Sequence, residues 1–256
     1  MSNFKIAMIP DVQAKSNVDL SHLPRIGKYL VKKKPDVIVQ IGDFADMESL
    51  SSYDVGKRQF EGRTYKKDIR AAHKAMRMLM HPIRMEQERL IRNKEKRWNP
   101  RFVLTLGNHE NRINRAIDYD RKLEDLISVD DLHYKQFGWE VYDYLEVVVI
   151  GGIAFSHFFV SGIMGRPITT ANALLTKKHM SCVAGHQQGR QIAYAHRADG
   201  REMTGLIAGS CYLHDEEYLG VQGNQHFRGF YMLHEVTDGS FDEMAVSLNY
   251  LERRFG

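Results

Sequence analysis

The sequence predicts an α/β fold of two packed mixed β-sheets flanked by helices, and three observations carry that expectation. In the first half, apolar runs rich in β-branched residues alternate with segments of helical periodicity. In the second half, short strand candidates follow one another with a single helical stretch among them. Polar residues close the apolar runs, and strand ends are where α/β sheets place ligands. The 256 residues are 43% hydrophobic and 27% charged, with 20 Gly and 6 Pro, a balance that excludes disordered, collagenous and low-complexity classes. A chain of this length buries a sizeable core, and one domain over residues 1–256 is expected.

Taken in order, residues 4–9, 36–41 and 101–106 read as buried strands. Each is closed by a polar cluster: Pro10-Asp11-Val12-Gln13, Gly42-Asp43 and Gly107-Asn108-His109-Glu110. Between the first two, Leu20, Leu23, Ile26, Tyr29 and Leu30 keep helical spacing, and Lys32-Lys33-Lys34 before Pro35 suits a helix C-terminus. The second and third strands are separated by about sixty residues, far more than a usual connection. A helical insertion or cap is therefore expected at about 48–100. Within it Ile69, Ala72, Met76, Leu79, Ile83 and Leu90 mark one helix face, and Pro82 should divide or kink the helix near Met78. Two helical pieces over the strand ends are expected. Residues 146–150, 152–157, 181–185, 191–196, 202–208, 230–236 and 244–250 read as short strands, and 168–178 as a helix. The sheets would pack face to face.

The apolar runs, such as 147–150, stop far short of the ~18 residues of a membrane span. The N-terminus has no secretory signal pattern. A cytoplasmic protein without a membrane segment is expected. Cys182 and Cys211 sit in apolar contexts that read as buried strand positions, with a bridge between them left open.

Asp11, Asp43, Asn108, His157 and His186 all follow predicted strands at well separated positions. Carboxylate and amide oxygens mixed with imidazole suit Mn, Fe, Zn or Ni better than Mg or Ca alone. Five such candidates point to a binuclear site, in which two divalent ions activate water and stabilise an in-line displacement.

Gly42-Asp43-Phe44-Ala45-Asp46 matches GDxxD, and Gly107-Asn108-His109-Glu110 matches GNHE in full. In this order, on strand ends, the chain resembles the calcineurin-like metallophosphoesterases, from Asp11 to about residue 250. The resemblance implies a four-layer α/β/β/α sandwich and two divalent ions, Mn favoured, with Mg, Fe, Zn or Ni compatible. It implies that Asp43 bridges both ions, and that Asn108, His157 and His186 complete the second site. His109 matches the family's catalytic histidine, and Asp46 the carboxylate that orients it. Arg112 is a candidate phosphate contact. The departures fall on one ion: the family's DxH and GHxH appear here as Asp11-Val12-Gln13 and Gly185-His186-Gln187-Gln188. Gln13 and Gln188 are thus candidate ligands, with Asp11, of a site that leans towards Mn or Mg, or else they bind water beside a weak site.

The net charge is +4, unevenly spread: residues 57–101 hold fifteen Lys and Arg against five Asp and Glu, a surplus of +10, so the remainder carries −6. Such a run is ordinarily a solvated helix face or a dimer seam. Beside a phosphoesterase centre it also fits a DNA or RNA backbone, through residues such as Lys66, Lys67 and Arg70. Phe60, Tyr65 and Trp98 could stack on bases or dock the segment onto the body. Arg228 and His226 read as loop structure with a possible reach to phosphate, and His214-Asp215-Glu216-Glu217 as surface. The expected activity is hydrolysis of a phosphodiester substrate, in nucleic acid or a nucleotide, by metal-activated hydroxide. A phosphomonoesterase and a non-catalytic binding protein with one lost metal site are the alternatives.

Overall fold

The structure is a computed structural model that describes residues 4–52, 56, 60–216 and 219–256. In chain order the strands are β1 (Ile6–Ile9), β2 (Val37–Gln40), β3 (Arg101–Thr105), β4 (Glu140–Tyr142), β5 (Val148–Ile150), β6 (Ile153–Ser156), β7 (Val160–Ser161), β8 (Arg166–Pro167), β9 (Cys182–Ala184), β10 (Arg190–His196), β11 (Glu202–Ala208), β12 (Gly229–Thr237) and β13 (Ser240–Ser247). The helices are α1 (His22–Lys33), α2 (Tyr65–Arg92), α3 (Arg112–Tyr119), α4 (Ala171–Lys178), α5 (Gly220–Gly223) and α6 (Leu248–Phe255). One sheet runs β13-β12-β1-β2-β3-β4 and the other β10-β11-β9-β6-β5, with β7 and β8 as a small hairpin. Both sheets are mixed: β1 to β4 are parallel neighbours, as are β6, β9 and β11, and antiparallel strands close every edge except that at β4.

The period-2 geometry of a strand sorts the buried residues into layers. In β1, Ile6 and Met8 join Val39, Val103, Phe155, Val183 and Leu206 between the sheets. Ala7 and Ile9 point the other way, into a core shared with Leu23, Ile26 and Leu30 of α1 and with Met76, Leu79 and Ile83 of α2. On the far side Ala154, Cys182 and Ile207 pack against Leu174 of α4. Strands covered on both faces read as continuous apolar runs, and the layers are helix, sheet, sheet, helix.

The expectation of two helical pieces is corrected: α2 is one helix of 28 residues with Pro82 inside it. Proline removes a hydrogen bond at a cost of about 3 kcal/mol, but apolar burial on both sides of it, from Met76 to Leu90, offsets that cost. Gly27 makes room for this: a Cβ there would stand 2.5 Å from the Leu79 carbonyl oxygen and 3.0 Å from Pro82 Cγ, so α1 and α2 meet at backbone distance. The helix lies on α1, and its first turn reaches the loop after Asp43, where Asp68 accepts the Ser49 N–H at 2.9 Å. Tyr65 and Trp98 dock this segment on the body: the Tyr65 hydroxyl donates to Asp131 at 2.7 Å, and Trp98 Nε1 to the Pro35 carbonyl at 2.8 Å. Lys57 and Arg58, at the start of the basic segment, lie outside the described residues.

Residues 248–250, expected as strand, open α6 instead, with the Ser247 hydroxyl accepting the Tyr250 N–H at 3.1 Å as an N-cap. Both cysteines are buried free thiols, and Cys211 lies in a loop rather than a strand. Among the described residues no helix is long and apolar enough to cross a membrane.

Candidate metal centre

The C-terminal ends of β1, β2, β3, β6 and β9 open on the same edge of the sandwich and deliver Asp11, Asp43, Asn108, His157 and His186 to it. Close backbone approach makes this possible. A Cβ at Gly107 would lie 2.1 Å from Asp43 Oδ1, and one at Gly185 would lie 2.5 Å from Asp11 Oδ1. These two glycines leave the space that a neighbouring carboxylate occupies. Gln13, Asp43 and His186 themselves adopt left-handed backbone, at φ 46°, 51° and 65°, a strain that tends to collect at functional sites. It is held by hydrogen bonds: Gln13 N donates to the Asp43 carbonyl at 2.8 Å, and His186 N to Asp11 Oδ1 at 3.1 Å.

Donor atoms of Asp43, His157 and His186 lie within 4.8 Å of one another. Asn108 Oδ1 joins them, 2.9 Å from His157 Nε2 and 2.8 Å from His186 Nδ1, while Asp43 Oδ2 stands 3.3 Å from His157 Nε2. Lone pairs decide whether this set fits a cation. His157 Nδ1 lies 3.0 Å from the Ile41 carbonyl and donates to it, so in the neutral ring Nε2 turns its lone pair towards two acceptor oxygens. Burial would lower His157, but the Asp43 carboxylate overrides it and lifts the ring to about 9. The same negative field that favours a proton on that ring favours a cation beside it. His186 is pushed down to about 4, by burial first and then by His157, which leaves it neutral and able to ligate. Burial alone would raise Asp43, yet His109 and His157 hold its carboxyl below the usual range.

On the other side, Asp11 Oδ2 and Gln13 Oε1 are buried with no hydrogen-bond partner among the described residues. Burial raises the Asp11 carboxyl well above its ordinary value. Orphaned buried oxygens of this kind cost free energy unless a cation or water meets them. The two glutamines differ: Gln188 Oε1 accepts the Tyr212 hydroxyl at 2.7 Å. A cavity of about 390 Å³ is lined by Gln13, Asp43, Asn108, His109, His186 and Gln188, among others.

His109 Nδ1 lies 2.8 Å from Asp46 Oδ1, and its Nε2 lies 3.7 Å from Asp43 Oδ2. Burial and the Arg112 guanidinium oppose protonation of His109, but Asp43 and Asp46 outweigh them and raise it. Arg112, expected as a phosphate contact, is engaged by the protein itself. Its Nη1 donates to the Asp46 carbonyl at 2.7 Å and to Asp46 Oδ1 at 3.0 Å, and Nη2 stands 3.2 Å from His109 Nε2. Neutral His109 accepts that last bond, and a protonated ring gives it up.

Two residues that motif reading passed over are built into the site. Glu110 is the last letter of the GNHE match, and its buried carboxylate binds both loops that carry Asp43 and Asn108. Lys15 gave no sequence signal, because its partners Asp46 and Glu216 are remote in the chain. The surface reading of residues 214–217 is corrected in part: His214 and Glu216 are largely buried and paired at 2.8 Å, while Glu217 lies outside the described residues. Arg228 serves its loop, donating to the Leu213 carbonyl and to Asp215, and His226 contacts Ser210.

A search of curated proteins finds no match for the chain. A family model described as calcineurin-like phosphoesterase matches residues 4–220. With that match over the residues that converge here, the chain belongs to the calcineurin-like phosphoesterases, which are metal-dependent phosphoester hydrolases.

Proposed function

We propose that the chain hydrolyses phosphodiesters, in nucleic acid or nucleotides, at a binuclear centre that takes Mn. The observation that carries this reading is the convergence of Asp43, Asn108, His157 and His186 beside the His109–Asp46 pair, in one cavity. Asp43 would bridge two ions, with Asn108, His157 and His186 on one, and Asp11 and Gln13, with Gln188 at its edge, on the other. Bound divalent ions supply Lewis acidity, polarising a phosphoryl oxygen and making water more acidic.

The remaining work falls to the chain. Asp46 Oδ1, 2.8 Å from Nδ1 of His109, would ion-pair with the protonated ring and keep it turned so that Nε2 gives its proton to the leaving oxygen. Arg112 braces Asp46 through Nη1, and its Nη2, freed when His109 is protonated, remains a candidate phosphate contact. The exposed basic face of α2 supports a polyanionic substrate, since Lys66, Arg70, Lys74 and Arg77 line it.

The test is turnover by metal-stripped protein resupplied with Mn or Mg, on a chromogenic phosphodiester and the matching monoester, with Asp43→Asn and His109→Ala in parallel. Diester turnover lost in both folded variants is the expected result. Monoester preference would replace the reading with a phosphatase, and silence on both with metal bound would replace it with a binding protein.

A further inference from the structure

Lys15 has no role in the motifs, yet its ammonium stands between two carboxylates behind His109. Loop pairing puts it there: Ala14 N donates to the Phe44 carbonyl at 2.8 Å, and Asp46 N to the Ala14 carbonyl at 3.0 Å. The next side chain then emerges beside Asp46. Lys15 Nζ lies 3.2 Å from Asp46 Oδ2 and 2.6 Å from Glu216 Oε1. Asp46 Oδ1 is already shared by His109 Nδ1 and Arg112 Nη1, so among the described residues Lys15 is what holds the second oxygen. A carboxylate held at one oxygen can swing about its Cβ–Cγ bond; held at both, its plane is fixed, and with it the imidazole it binds.

Glu216 is a firm anchor for this tie. His214 Nε2 lies 2.8 Å from the same Oε1, and the Asn224 amide grips the Glu216 backbone, accepting from its N–H at 2.9 Å and donating to its carbonyl at 2.8 Å. Lys15 and Arg112 together balance the charges of Asp46 and Glu216. Without the ammonium, two largely buried carboxylates would be left close together, Asp46 with Arg112 and Glu216 with His214 but nothing joining them, and both would move.

We propose that Lys15 is a positioning residue for proton donation by His109, acting through Asp46; this rests on the hydrolytic reading above. In the step it serves, a water oxygen forms the new P–O bond and the electron pair of the breaking P–O bond stays on the leaving oxygen. The proton on His109 Nε2 moves to that oxygen, and the proton shed by the water restores the ring. A leaving group that is stable as an anion needs no such proton, and a basic one does.

The experiment compares Lys15→Met, His109→Ala and the double variant on methyl 4-nitrophenyl phosphate and methyl phenyl phosphate in the presence of Mn. Lys15→Met should lower kcat on the phenyl ester roughly 10-fold or more and on the nitrophenyl ester less than about 3-fold, with KM little changed. The double variant should be no slower than His109→Ala alone, because both act on one proton transfer, and Lys15→Arg should restore most of the rate. Equal losses on both esters, additive losses in the double variant, or unchanged kinetics would overturn the proposal. Should Lys15→Met fail to fold by circular dichroism, Glu216→Gln, which loosens the same tie, must show the same leaving-group bias. A wild-type protein silent on both esters overturns the hydrolytic reading itself, an outcome distinct from an active enzyme indifferent to Lys15.

Discussion

Glu110 Oε2 accepts the backbone N–H of Asp43 at 3.0 Å and that of Gly107 at 2.9 Å, so one buried carboxylate fixes the distance between two ligand loops. Its other oxygen accepts from Ala45 N at 2.8 Å and from the Tyr134 hydroxyl at 3.1 Å. An amide cannot replace it: the NH2 of glutamine would face two N–H donors. Glu110→Gln should therefore cost roughly 3 kcal/mol in urea unfolding and weaken Mn binding in calorimetry, whereas Tyr134→Phe should cost about 1 kcal/mol. A Glu110→Gln protein with wild-type stability and Mn affinity would show that the loops need no such tie.

What the sequence disclosed of this architecture follows the range of the forces involved. The strands before Asp11, Asp43 and Asn108 were legible because burial on both faces demands an unbroken apolar run, and His157 and His186 were legible because they close similar runs. The continuity of α2 was not, since Pro82 is a local signal to break and the core that overrides it is assembled from α1 and the sheet. Leu248 and Tyr250 carry side chains that suit either element, and the Ser247 cap settles the matter. The engagement of Arg112 and Lys15 with Asp46 joins residues 66 and 31 positions apart, which no spacing rule within a single element can register.

Acid stability should depend on His22, the first residue of α1. Burial pushes its folded pKa down to about 4, against an ordinary value near 6.5. The unfolded chain therefore takes up this proton first: the contribution is complete above pH 6.5 and is lost as pH falls towards 4, by about 3 kcal/mol in all. In urea unfolding at pH 7 and pH 4.5, wild type should lose about 2–3 kcal/mol more than His22→Leu. Equal losses would place the acid sensitivity elsewhere.

Mn should stabilise the fold, because it meets acceptor atoms that face one another in the free protein. At a hundredfold excess over Kd the gain is about 2.7 kcal/mol, a rise of roughly 5–10 °C in Tm for a chain of this size. Asp43→Asn and His157→Ala should abolish most of the shift in a thermal melt. Gln13→Ala should remove part of it and lower the Mn stoichiometry in calorimetry, since its Oε1 is one of the orphaned oxygens. A full stoichiometry in Gln13→Ala would assign that oxygen to water.

The basic face of α2 yields the last expectation. Lys66, Arg70, Lys74 and Arg77 recur at steps of four, four and three, all exposed, and none has a carboxylate partner among the described residues. Helical rise spreads them over about 16 Å, a span that matches several phosphates of one strand. Neutralising all four to Gln should weaken binding of single-stranded DNA or RNA uniformly across sequences. It should also reduce the slope of log K against log salt by about 3, since each phosphate contact releases counterions as it forms and four such contacts are lost. Fluorescence anisotropy from 50 to 200 mM salt reads both quantities. An unchanged slope would mean that the charge on this helix serves solubility, and the substrate would then be sought among small diesters that reach only the cavity.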